Sequence, residues 1–474
     1  KQAFSGVVWT FIETFLIKGL TFIVGIYLAR ILGPADFGLI GMLAIFIGVG
    51  TTLVDSGLSS SLIRTPDANH KDFTTVFYVN LLISLVIYGI VFAIAPWVGE
   101  FYNQPILVDI MRVYCLSFII SAFSAVQLAI LNKKMLFKQI MFLTIPGVVI
   151  GSTAGVYLGY IDWGVWSLVY MHLVTQLIFT VVLWLKSSWK PNLSFSMTIL
   201  KKHFNFGYKL MLSGLLDKVF SNAYHVVIGK YFSIESLGYF ERAQTINRYP
   251  ANTITGILSK VTFPLLAGIQ NDKAKIKEVY KRILQFSFSI SAPLMLGSAA
   301  IAKPLLLILL GEKWLPAVPL FQIFCFSAIL IPIHAFNINV LKVYGRSDLF
   351  LKLEIYKKVL IGISILCAYP FGVFGIAWSM VVVSVLALLI NTYYSNRILH
   401  YKTISQLKDI TIYFILAILM ALVMFALVSY LPWSNVYLVA TASIVGIVLY
   451  LSLNMIFKTS SLTYGKELLK ALKK

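Results

Sequence analysis

The chain has 474 residues, 59% of them hydrophobic and 12% charged, with a mean hydropathy of +0.87 and a formal net charge of +21. This excludes an ordinary soluble domain, in which apolar residues make up roughly 45–50%. It points to a polytopic membrane protein, and an all-α one: a closed barrel needs alternating segments of about 10 residues, whereas the apolar runs here are continuous over the roughly 20 residues of a membrane-crossing helix.

Fourteen such runs are predicted, at about 7–32, 37–62, 73–98, 106–131, 139–158, 163–185, 208–232, 237–266, 283–310, 317–341, 350–369, 373–395, 410–431 and 436–457. The first is too long for a cleavable signal and is expected to be the first span. The cations separate by side. Even-numbered connections carry Arg64 and Lys71, then Lys133, Lys134 and Lys138, and later Lys342, Arg346 and Lys352, among others; odd ones carry only Lys230 and Lys313. By the positive-inside rule both termini are cytoplasmic. The charge is therefore topological, with anionic membrane lipids as its partner and no role in nucleic-acid binding. Cys115, Cys325 and Cys367 fall inside apolar runs without metal-ligand spacing, and no cofactor is expected.

In chain order, the first span places Thr10, Thr14, Lys18 and Thr21 on one helix face. Lys18 falls near the bilayer midplane, where a cation marks a cavity or pathway; a pair with Glu13 is the structural alternative. Ala29 to Gly38 then reads Ala-Arg-Ile-Leu-Gly-Pro-Ala-Asp-Phe-Gly, a polar hinge that begins with Arg30. Two hundred residues on, Gly229 to Gly238 reads Gly-Lys-Tyr-Phe-Ser-Ile-Glu-Ser-Leu-Gly. In each a cation closes one apolar segment, an acid follows, and a glycine opens the next. This predicts an internal duplication with a site between the copies.

The second span carries Thr51, Asp55 and Ser59 on one face, and Asp55 opens Asp-Ser-Gly-Leu-Ser. A turn of the form Ala-Arg-x-Leu-Gly-Pro-x-Asp-x-Gly followed by Asp-x-Gly-Leu-Ser resembles the start of the polysaccharide transporter flippases. These are the exporters of O-antigen and capsule repeat units within the multidrug/oligosaccharidyl-lipid/polysaccharide superfamily. The motif covers about the first 65 residues, and the fourteen spans fit the whole length. The resemblance implies a bacterial inner-membrane transporter and no enzyme. Its cargo would be a polyprenyl-diphosphate oligosaccharide, and the polysaccharide polymerase machinery a further partner.

Farther along, Asp109 and Arg112 form either a neutral pair or a cavity-lining cation. Gly151, Gly155 and Gly159 make a close-packing face on the fifth span. The seventh span carries Asp217, Ser221 and His225, with Lys218 and Asn222 adjacent; the eighth carries Glu241, Thr245, Arg248, Asn252 and Thr255, with Arg242 on another face. Residues 271–282 read as a basic amphipathic surface helix. His334 reads as a hydrogen-bonded packing residue or a proton carrier. The last two spans contain no ionisable residue and are expected at the periphery.

The expected organisation is a six-helix lobe over 1–200, a second over 201–400, and two further helices with a basic tail over 401–474, in a monomer. Lys18, Arg30, Arg112, Lys218, Arg242 and Arg248 are the candidate anion-binding residues. Asp55, Asp217 and Glu241 either bind the coupling ion, H⁺ or Na⁺, or balance the cations. Other readings are a lipid-linked peptidoglycan-precursor flippase, a drug/cation antiporter, a membrane polymerase or ligase, and a non-transporting scaffold. A drug/cation antiporter needs a carboxylate-dominated lobe, and a polymerase a sizeable external loop; neither fits this charge pattern or these short odd connections. No Gly-x-x-x-x-Gly-Lys-[Ser/Thr] motif of an ATP-driven pump occurs.

Overall fold

The structure is a computed structural model that describes residues 2–461, with side chains described from residue 16 onward except at 257, 260, 261, 263–265, 267, 273 and 347. The predicted stripe residues Thr10 and Thr14, the alternative partner Glu13 and the basic tail from Lys466 lie outside the described side chains.

Two compact units divide the chain at Gly238. The first contains α1 (Gln2–Ile31), α2 (Pro34–Asp55), α3 (Leu58–Arg64), α4 (His70–Phe101), α5 (Ile106–Tyr114), α6 (Leu116–Lys133), α7 (Phe137–Tyr160), α8 (Trp166–Lys186), α9 (Met197–Ser221), α10 (Ala223–Tyr231) and the start of α11 (Ile234–Gly268). The second holds the rest of α11, then α12 (Lys273–Ala300), α13 (Ala302–Leu309), α14 (Ala317–Ala328), α15 (Ile331–Val343), α16 (Ser347–Ala368), α17 (Gly372–Leu399), α18 (Thr403–Tyr430) and α19 (Asn435–Ile456). No strand occurs among the described residues.

Ten stretches of the described residues are long and apolar enough to cross a membrane. One of them, Asp348–Leu399, has 52 residues. At 1.5 Å per residue that is about 78 Å, more than twice a bilayer core, so it accommodates two crossings. The break falls at the 3₁₀ turn Tyr369–Phe371, between α16 and α17. Of the remaining long helices, α9 and α11 carry predicted polar stripes that lower their apolar character, while α1 is as apolar as the counted helices and its first residues lie outside the described side chains.

Local chemistry sets the boundaries. Pro34 supplies a preset φ at the start of α2, and the Gly33 N–H donates to Asp36 Oδ2 at 2.9 Å. Asn69 caps α4, its side chain accepting from the amides of Lys71 and Asp72, while Asp72 Oδ2 accepts from the Asn69 N–H at 3.1 Å. Within α7, Gly151 and Gly155 of the predicted glycine face meet α8, joined by Gly147, whereas Gly159 turns to α1, a Cβ on it standing 3.2 Å from Leu28 Cδ2; a Cβ on Gly151 would stand 2.0 Å from Thr175 Oγ1 and 2.8 Å from the Thr175 amide nitrogen. Cys115 and Cys325 are buried packing residues, whereas Cys367 is exposed on α16.

Residues 271–282 do not form a separate surface helix. They enter α12, which Asp272 caps by accepting from the Lys275 N–H at 2.9 Å. No glycine or proline interrupts the chain until Pro293, so the helix runs on to Ala300. Lys277 Nζ donates to the His400 carbonyl at 3.1 Å, and Lys281 pairs with Asp409 at 2.7 Å. The Tyr401 hydroxyl also donates to Asp409; burial and that carboxylate push its pKa up. These cations therefore brace the α17–α18 connection.

α2 and α3 are one apolar run broken at Ser56 and Gly57, which have φ of 48° and 65°. The backbone turns here because α9 presses on it: a Cβ on Gly57 would stand 2.4 Å from the Gly207 carbonyl oxygen. Gly57→Ala is expected to destabilise the protein by about 2 kcal/mol or more, from the left-handed penalty plus the clash. Gly89→Ala, which meets nothing within 4 Å, is expected to stay within about 1 kcal/mol of wild type. Thermal unfolding in detergent followed by size-exclusion chromatography checks both.

Candidate functional site

In the first unit, α2 and α9 pack along a polar seam. The broken end of α2 offers Thr51, Thr52 and Asp55, and α3 adds Ser60. Together with Gly57, Leu210, Met211 and Gly214 they line a cavity of ≈ 290 Å³. Asp55 is exposed to it. The free carbonyls of a helix C-terminus carry partial negative charge. With the adjacent carboxylate and three hydroxyls, this end of α2 can hold a small hard cation or a proton.

Higher on the same seam, the Lys218 stem lies over Gly48, where a Cβ would stand 3.4 Å from Lys218 Cδ. Asn222 Nδ2 donates to the Lys218 carbonyl at 2.8 Å, where α9 ends and α10 begins. Gly48 and Asp55 are seven residues apart on α2, about 10 Å along the helix. The structure thus places a predicted cation and a predicted acid on one seam. Asp217, the residue before Lys218 on α9, is exposed.

The other cation candidates in this unit lie on α1 and α5. Lys18 is exposed near the middle of α1, and Arg30 is exposed in its last turn. Arg112 does not pair with Asp109: among the described residues no ion pair joins them, and the Arg112 guanidinium stacks on Phe92 of α4, its Cζ 4.1 Å from the ring centroid. Asp109 is exposed instead.

In the second unit, the α11 stripe divides by face. Gln244 and Asn247 are buried, and Asn247 Nδ2 donates to Cys325 Sγ at 3.1 Å. Thr245 Oγ1 donates to Glu241 Oε1 at 2.8 Å, and Arg242 Nε lies 3.7 Å from Glu241 Oε2. Arg242, placed on another face by the sequence spacing, therefore shares the Glu241 carboxylate. Arg248 is exposed two turns beyond Glu241. His334 is hydrogen-bonded at both ring nitrogens, to Ser384 at 3.0 Å and Asn391 at 3.1 Å, as a packing residue would be.

Two clusters were not anticipated. On α16, Lys357 Nζ lies 2.9 Å from Glu354 Oε1 and Lys358 Nζ 3.9 Å from Glu354 Oε2. Their i, i+3 and i, i+4 spacing within the eleventh apolar run was a signal available in the sequence. The other cluster had none. Fully buried His203 of α9 bonds Ser61 of α3 through Nδ1 at 2.8 Å and Asp72 of α4 through Nε2 at 3.0 Å. Although these are the residue types of a hydrolytic triad, the ring is sealed from any substrate and serves to join three helices. Leu58 and Leu62 of α3 and Val76 and Phe77 of α4 form an apolar cluster with Trp189 of the α8–α9 connection.

A helical multi-pass chain with broken helices and polar seams belongs to the architecture of membrane transporters. Over 95% of its length it superposes on 98% of the lipid II flippase MurJ in its inward closed conformation, with a TM-score of 0.80 at 12% identity. The family described as "Polysaccharide biosynthesis protein" matches residues 27–319. The chain belongs to that family. Among curated relatives it is 24% identical to the lipopolysaccharide biosynthesis protein WzxC of Escherichia coli K12, over 76% of this chain and 74% of that one. It is also 24% identical to the teichuronic acid biosynthesis protein TuaB of Bacillus subtilis 168, over 90% and 89%.

Proposed function

We propose that this protein is a flippase carrying polyprenyl-diphosphate-linked oligosaccharide repeat units from the cytoplasmic to the outer leaflet of a bacterial cytoplasmic membrane. The observation that carries the reading is the α2–α9 seam, where Asp55 and Lys218 line one polar strip within apolar helices. A charge within a membrane-spanning helix is costly and is retained where ions or polar cargo pass.

Lys18, Arg30, Arg112, Lys218, Arg242 and Arg248 are the proposed cargo-binding cations, with arginines able to hold phosphate oxygens in bidentate fashion. Asp55, Asp217 and Glu241 are the proposed acids of coupling to H⁺ or Na⁺, and Asp55 leads because it sits at an open helix C-terminus. The six-plus-six-plus-two organisation provides two repeats for alternating access. The protein acts as a monomer without cofactor and without enzymatic chemistry, beside the polymerase machinery.

The test is translocation of a labelled polyprenyl-diphosphate oligosaccharide in proteoliposomes, without nucleotide, with and without H⁺ or Na⁺ gradients. Gradient-dependent flipping is expected, and Asp55→Asn is expected to remove the gradient dependence while the protein stays folded. Failure with several oligosaccharides, alongside flipping of a peptidoglycan precursor, would transfer the assignment to that cargo.

A further inference from the structure

The connection from α8 to α9, residues 187–196, is an extended segment tied down at both ends. At its start the Ser187 hydroxyl donates to the Trp189 carbonyl at 3.1 Å and accepts from the Trp189 N–H at 3.2 Å. The buried Trp189 ring packs against α4, 5.9 Å from Phe77 and 6.4 Å from Phe73 between centroids, both edge-on. At its end the Ser196 N–H donates to Thr75 Oγ1 of α4 at 3.3 Å, and Ser196 Oγ caps α9 by accepting from the Ile199 N–H at 3.4 Å.

Between these anchors the side chains alternate, as they must on an extended backbone. Ser194 and Ser196 are half-buried against the protein. Leu193, Phe195 and Met197 point the other way and are 96%, 48% and 57% exposed. Three apolar side chains held outward by a fixed backbone make a contact surface rather than a frayed loop.

Two further observations say what covers it. Exposed Lys186, Lys190 and Lys201 flank the three apolar residues, and no acid occurs in the sequence between Asp162 and Asp217. Lys202 is set apart, since its charge acts on Asp72. The segment also lies at a definite depth. Thr75 is five residues past His70, the start of α4, about 7.5 Å along that helix. Interfacial segments bury their apolar face about 5–10 Å into the boundary between headgroups and acyl chains.

We propose that the α8–α9 connection is a lipid-binding strap for anionic glycerophospholipids on the side of the basic connections. Leu193, Phe195 and Met197 enter among the acyl chains, and Lys186, Lys190 and Lys201 meet the headgroup phosphates, their stems lying along the apolar surface. The strap ties the start of α9 to the leaflet, and α9 carries Lys218 of the polar seam at its other end. This binding is independent of which cargo the protein moves.

The experiment uses the full chain with its three cysteines replaced by alanine and a fluorophore on Leu193→Cys, in phosphatidylcholine nanodiscs. A small fraction of chain-spin-labelled lipid is added, either phosphatidylglycerol or phosphatidylcholine, and the quenching ratio gives the local preference for the anionic lipid. A preference on the order of tenfold is expected at low salt, about fivefold for each lysine within reach of a headgroup. Lys190→Gln combined with Lys201→Gln should reduce it at least fivefold. A fluorophore on Leu82→Cys, an exposed position twelve residues into α4, should show no preference. Quenching by neither lipid at position 193 would place the strap outside the membrane and overturn the proposal. Equal quenching by both would show apolar contact without anion recognition and overturn it as well. If the double lysine variant does not fold, salt decides in the parent reporter: the preference must fall as ionic strength rises, and a salt-independent preference would remove the lysines from the site.

Discussion

His203→Ala is expected to destabilise the protein by about 3 kcal/mol, because it leaves the Asp72 carboxylate in a sealed site without its ring partner. Asp72 retains the Asn69 amide at 3.1 Å but loses the bond to Nε2 at 3.0 Å, and Ser61 loses its only side-chain partner among the described residues. The vacated ring volume adds a cavity cost. Since the three groups act as one network, Asp72→Asn combined with His203→Ala should cost less than the two single changes added together. Thermal unfolding of purified single and double variants measures this. An additive result would show that the residues are energetically independent.

Arg248→Ala is the substitution expected to have the largest effect on transport. A hydrogen bond to a charged group contributes about 1.5–3 kcal/mol, and each 1.4 kcal/mol is about tenfold in binding. The expected loss of flipping is therefore on the order of ten- to a hundredfold. Arg248 is exposed, so the loss of stability should not exceed that of a surface contact, about 1 kcal/mol. Arg248→Lys should recover only part of the activity, because a point charge cannot reproduce bidentate contact with phosphate. Initial rates in proteoliposomes, normalised to folded protein, give the comparison; a wild-type rate in Arg248→Ala would remove this residue from the cargo path.

Much of the helical architecture could be read directly because a membrane helix announces itself by length and hydropathy, and ionisable residues inside it stand out. Lys218 and Asp55 were legible for that reason, and the matched hinges were legible as repeated punctuation. That those hinges touch, Gly38 at the Ile234 carbonyl and Gly238 at the Pro34 carbonyl, could not be read, since the 200-residue offset says nothing about distance. The Arg112–Phe92 stacking was hidden because sequence spacing favours the nearer Asp109, and only the fold brings an aromatic face from α4. Glu354, Lys357 and Lys358 were passed over because the surrounding apolar residues kept that run's hydropathy high. The surface-helix expectation for 271–282 failed because amphipathic patterning does not reveal whether a helix ends, and nothing before Pro293 ends this one.

The trio at His203 also bears on how the chain is made. Asp72 and Ser61 emerge from the ribosome 131 and 142 residues before the ring that joins them. Throughout that interval a carboxylate destined for burial waits without its partner, and the helices α1 to α8 can be inserted yet unfinished. Residues 1–200 made alone should therefore be recognised by quality-control proteases as incomplete, and co-expression of a segment beginning at Met197 should rescue them.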